Sequence, residues 1–148
     1  MEEYREINEE YANIAYDLIQ NEPCLADIRQ SDVTIMYLSS DKEKKSKGRA
    51  VCGECECINP KYKWAIPCDF TITIFEPNVA TFTNEQIRIP LLHELLHVKI
   101  EVQDDGTEKY SCNPHDVEDF RTIIDRYGID WNIVPDWSVI NGTDEEAT

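Results

Sequence analysis

Residues 89–100 read IPLLHELLHVKI, and the two histidines and the glutamate in their midst are the groups best spaced to do chemistry. On a helix, positions i and i+4 share one face, with about 5–6 Å between Cβ atoms. His93 and His97 have that spacing, so both imidazoles can converge on one zinc ion at about 2.0–2.1 Å. Glu94 is turned about 100° from His93 around the helix. That suits it poorly as a ligand beside both rings and well as an acceptor for a water on the ion. This is the H-E-x-x-H arrangement. Bound zinc brings the pKa of its water to about 7. Glu94 would take the proton, hydroxide would attack a carbonyl polarised by the ion, and Glu94 would return the proton to the leaving amine. Leucines on both sides keep the dielectric low, which strengthens the pull on a developing oxyanion. The bland alternative is a pair of core histidines bonded to each other or to carbonyls. In so apolar a run, any polar group left unsatisfied would cost about 1–3 kcal/mol.

A catalytic zinc takes three protein ligands and keeps one place open. One further histidine exists, His115, eighteen residues after His97 at the start of another helical pattern. It is the expected third ligand, with Glu118 and Asp119 as fallbacks. Tyr110, Tyr62 and Arg121 are candidates to support an oxyanion, and the sequence does not choose among them. Cys52, Cys55, Cys57 and Cys68 crowd together with C-x-x-C-x-C spacing. In a strand, however, Cys55 and Cys57 share a face that Cys52 does not, so small buried thiols are expected rather than a second zinc site.

The elements that must position these groups follow from periodicity. Tyr4, Ile7, Tyr11, Ile14 and Leu18 form one stripe of an amphipathic helix over about residues 2–20, broken at Pro23, with a helical turn through Leu25–Arg29. Asp32–Leu38, Arg49–Ile58 and Cys68–Pro77 read as short strands, joined by polar loops and paired antiparallel. Thr83–Gln86 fits a capping box ahead of a helix running to about Glu101, with a kink or restart at Pro90. Val102–Ser111 reads as a polar loop. Asn113 then caps a helix with Pro114 at its first position and Gly128 as its stop, burying Val117, Phe120, Ile124 and Tyr127. Trp131 and Trp137 are expected over the core. The expectation is an α+β fold with a small, mostly antiparallel sheet of about three strands packed on the H-E-x-x-H helix. Residues 1–140 form one domain and 141–148 an acidic tail.

With 30 acidic against 14 basic residues the formal charge is −16. The summed field repels nucleic acid, which argues against a duplex binder; an acidic surface mainly gives solubility, and an acidic DNA mimic without metal is a minor rival. The run Lys42, Lys44, Lys45, Lys47, Arg49 stands against this background and could touch nucleic acid, though such runs are most often solvated loop tips. No signal peptide or membrane span is legible, so a cytoplasmic protein with reduced cysteines is expected.

The motif HELLHV preceded by FTNEQIRIP, with upstream SDKEKKSKGR and KYKWAIPCDFTITIFEPNVA and downstream PHDVEDFRTIIDRYG, resembles the phage metallopeptidase family over about residues 30–131. That family is similar to the SprT-like zincins. The resemblance implies a zincin-like domain of phage or prophage origin, with one catalytic zinc held by His93, His97 and His115, and with Glu94 as catalytic base. It implies a protein or peptide substrate and, in phage infection, the host cytoplasm. Zincins usually lend the edge of a strand to the substrate backbone, and DFTITIF is the expected strand. A rival reading is a non-catalytic protein that binds or inhibits a host protein, its zinc only holding two helices together.

Overall fold

The computed structural model describes residues 2–113. In chain order these form β1 (Arg5–Ile7), α1 (Glu9–Asn21), α2 (Ala26–Arg29), β2 (Ile35–Ser40), β3 (Lys45–Ser46), β4 (Arg49–Ala50), β5 (Gly53–Cys57), β6 (Phe70–Phe75), α3 (Asn84–Leu95), β7 (Val98–Val102) and β8 (Glu108–Cys112). The architecture is α+β. The helix expected to follow Asn113 as far as Gly128, the Trp131 and Trp137 region and the acidic tail lie outside the described residues.

β6 is the spine. Its Phe70, Ile72 and Ile74 enter the core with Tyr11, Ala15 and Leu18 of α1 and Leu91, Leu92 and Leu95 of α3. Residues of opposite parity, Thr71, Thr73 and Phe75, face the other side and are buried too. There Arg5 and Lys44 lie over the Phe75 ring, 5.7 and 5.4 Å from its centroid. Arg5 also donates to Thr73 Oγ1 at 2.9 Å and pairs with Glu54 at 3.1 Å.

The main sheet has four strands in the order β1-β2-β6-β5. It departs from the antiparallel expectation: β2 and β6 run parallel, from Ile35 opposite Phe70 to Ser40 opposite Phe75. The residues between them are numerous enough to carry the chain back for a parallel crossover. β1 and β5 flank this pair antiparallel.

Other departures are local. Asn8 caps α1 by accepting from the Tyr11 N–H at 3.0 Å, so the helix begins at Glu9 and the residues before it form β1. Tyr4 and Ile7 are consequently exposed, not part of the buried stripe. Arg49–Ile58 is broken into β4 and β5 around Val51 and Cys52. The lysine-rich loop contains the β3–β4 hairpin, whose tip residues Lys47 and Gly48 both have positive φ, 53° and 78°, as a two-residue primed turn requires. The helix expected to reach Glu101 ends at Leu95, and the next residues form β7. Val98, Ile100 and Val102 alternate with Lys99 and Glu101, a period of two that favours a strand. The supposed loop Val102–Ser111 supplies β8, which pairs with β7 around a turn at Gly106, φ 88°.

Candidate metal centre

The capping box is present: Thr83 Oγ1 accepts from the Gln86 N–H at 3.2 Å and Gln86 Oε1 accepts from the Thr83 N–H at 2.8 Å. It fixes where α3 starts. α3 runs through Pro90 and buries Ile87, Ile89, Leu91, Leu92 and Leu95, leaving little exposed face. That accounts for leucines on every side of the polar triplet. After Leu95 the chain makes one more turn, in which the Leu96 N–H donates to Leu92 O at 3.0 Å and the His97 N–H to Glu94 O at 3.1 Å. His93 and His97 thereby stay on one side although His97 lies past the helix end. Their ring centroids are 5.3 Å apart, with planes at 60°.

These two rings fit a shared ion. An imidazole bound through one nitrogen at about 2.0–2.1 Å has its centroid about 3.2 Å from the metal, so two at the tetrahedral angle stand about 5.2 Å apart. The protons fit as well. His97 Nδ1 lies 2.6 Å from the carbonyl oxygen of Asn113. A carbonyl only accepts, so in neutral His97 the proton sits on Nδ1 and Nε2 is the nitrogen with the lone pair. A backbone carbonyl in this position is a common outer partner of metal-binding histidine. Asn113 is itself held by its N–H to His97 O and by Nδ2 to Leu96 O at 3.4 Å.

Glu94 is buried, 5% exposed, where α3 crosses β5. Gly53 makes room for it: a Cβ there would come within 3.2 Å of Glu94 Cγ, 2.9 Å of Thr73 O and 3.0 Å of Ile74 Cδ1. Burial first, and then the Glu94 charge, push the Cys52 thiol up to about 11. The carboxylate thus faces the start of the edge strand.

Sequence reasoning missed two members of this neighbourhood. Asn113 was legible only as a helix cap, because a carbonyl acceptor leaves no trace in side-chain identity. Gly53 did carry a signal, since an isolated glycine in a strand marks close approach by another group. The expected substrate strand requires correction: DFTITIF is β6, enclosed between β2 and β5, so its edges are already paired. The terminal strand nearest Glu94 is β5, whose outer side β8 approaches at Cys55 and Cys57.

The remaining candidates divide. His115, Glu118, Asp119 and Arg121 lie outside the described residues. Among those described, no group of three or more His, Cys, Asp or Glu side chains is placed to hold a metal ion, and this includes Cys52, Cys55, Cys57 and Cys68. The Tyr110 hydroxyl donates to Glu108 at 2.6 Å, and burial together with that carboxylate raises its pKa. Tyr62 is exposed in the turn between β5 and β6.

A family model described as "Putative phage metallopeptidase" matches residues 3–138. The chain belongs to this family. The phage metallopeptidase match spans all the helices and strands described above and the H-E-x-x-H segment. No curated protein and no solved structure matches the chain. No helix among the described residues is long and apolar enough to cross a membrane.

Proposed function

We propose that this protein is a zinc-dependent peptidase of zincin-like arrangement, in which His93, His97 and His115 hold one zinc ion and Glu94 is the general base. The observation that carries the reading is the His93–His97 pair, 5.3 Å between centroids with His97 Nδ1 committed to Asn113 O. Family membership adds that a peptidase acts on protein substrates. Covalent geometry supports His115 as the third donor: it follows Asn113 by two residues, and two residues span at most about 7 Å. That short separation is why this reading takes His115 as the third donor.

When bound, zinc supplies a Lewis acid and brings water in its open position to a pKa of about 7. The rest belongs to the chain. Asn113 holds His97 in one tautomer. Glu94, confined between α3 and Gly53, takes a proton from the attacking water and delivers it to the departing amine nitrogen. Leu91, Leu92 and Leu95, all fully buried, keep bulk water from the carboxylate.

Glu94→Gln tests the reading. Purified wild-type protein should contain about one zinc per chain and cleave members of a proteome-derived peptide library. The variant should keep fold and zinc and lose about 10²–10⁴-fold in turnover. Absence of zinc from the wild type would end the proposal. A variant inert as a peptidase but fully active in infected cells would favour a binding role.

A further inference from the structure

Cys55 occupies the middle of β5 and Cys112 ends β8. Cys52 O accepts from the Phe75 N–H, and the Ile58 N–H donates to Asp69 O. Even-numbered residues of this strand therefore turn their main chain to β6, and Gly53, Cys55 and Cys57 turn theirs outward. β8 stands on that outer side. The Cys112 thiol donates to Cys55 O at 3.6 Å and the Cys57 thiol to Tyr110 O at 3.5 Å. Both contacts share one antiparallel alignment, with 112 opposite 55 and 110 opposite 57. Cys55 is half-buried against the core, whereas Cys112 is exposed.

The geometry points to Cys55 and Cys112 as a disulfide-forming pair, a modification site that joins the sheet edge to the β7–β8 hairpin. The Cys112 sulfur already lies 3.6 Å from Cys55 O, close enough that side-chain rotation can bring the two sulfurs toward disulfide geometry. Cys57 is the competing thiol, but it is aligned with Tyr110 and not with Cys112. Hydrogen peroxide is the oxidant. The exposed Cys112 sulfur attacks the O–O bond and becomes a sulfenic acid, releasing one water. Cys55 sulfur then attacks the Cys112 sulfur, and the hydroxyl leaves with the Cys55 proton as a second water. Two thiols lose two electrons to one peroxide. The new bond fixes against β5 the strand end that presents Asn113 to His97.

The test is non-reducing peptide mapping of the full-length protein after hydrogen peroxide treatment and alkylation. The expected result is one linkage, between the Cys55 and Cys112 peptides, in a chain of monomer mass with four of its six cysteines alkylated. Cys57→Ser should form the same linkage and Cys112→Ser none. Six alkylated cysteines, a linkage through Cys57, a bond between two chains, or Cys112 carried to sulfinic acid with Cys55 still a thiol would each overturn the assignment.

Discussion

His97 and Asn113 are joined twice, by the imidazole Nδ1 to the Asn113 carbonyl at 2.6 Å and by the Asn113 N–H to the His97 carbonyl. One residue thus orients a ring at the end of α3 and ties the end of β8 to the same point. Asn113→Pro removes the backbone donor of this clasp. It should weaken zinc binding by about 10–100-fold, the usual cost of disturbing an outer partner of a ligating histidine. Asn113→Ala removes only the 3.4 Å contact to Leu96 O and should change affinity by less than about threefold. Competition with a chromophoric chelator measures both, and equal affinities would show that the clasp does not tune His97.

Gly53 is the floor beneath Glu94. Gly53→Ala brings a methyl group to within 3.2 Å of Glu94 Cγ and still closer to Thr73 O. Because the backbone atom cannot move aside, the folded state should lose about 1–3 kcal/mol, read by urea unfolding. The displaced carboxylate should lower kcat while zinc content stays at the wild-type level. Wild-type turnover in a folded variant would mean that Glu94 tolerates displacement.

The third donor is open to direct test. His115→Ala should lower zinc affinity by more than about 100-fold, beyond the effect of an outer partner. If His115→Ala retains zinc and Glu118→Ala or Asp119→Ala loses it, the donor is that carboxylate.

Asp69 gives a pH signature. Burial would raise its pKa, but hydrogen bonds from Lys63 and from the Thr34 backbone and hydroxyl outweigh burial and hold it below the ordinary 3.8. A depressed folded pKa contributes stability that is present above the unfolded value and disappears as pH falls through the folded one. Lys63→Met should therefore destabilise the protein at pH 7, by about 1 kcal/mol since Lys63 is half-exposed. The difference from wild type should shrink as pH drops below 3.8. Denaturant midpoints across that range check it; a difference independent of pH would assign the effect to packing.

What could be read from the sequence was whatever depends on near neighbours in the chain. The capping box at Thr83 and Gln86, the break at Pro23 and the i, i+4 histidine spacing are of this kind. The end of α3 was misread because the apolar run continues past Leu95, and the change of period from helical to two begins only at Val98. β8 was missed because EKYSC has no apolar alternation, and Gly106 was its one cue. Pairing order was not legible at all. β6 lies between β2 and β5 through contacts some 35 residues apart in the case of Ile35 and Phe70, and nothing local in FTITIF distinguishes an inner strand from an outer one. Of the candidate centre, spacing singles out His93, Glu94 and His97, whereas the Asn113 carbonyl beside His97 Nδ1 has no sequence signature.

β1 has a practical consequence for anyone handling this protein. It closes the rim of the sheet remote from β5, and Arg5 stitches it across to Thr73 and Glu54. Trimming the chain through Ile7 would bare the polar main-chain groups of β2 and invite neighbouring molecules to zip onto them as an aggregate. An affinity tag added ahead of β1, by contrast, would leave that seam closed.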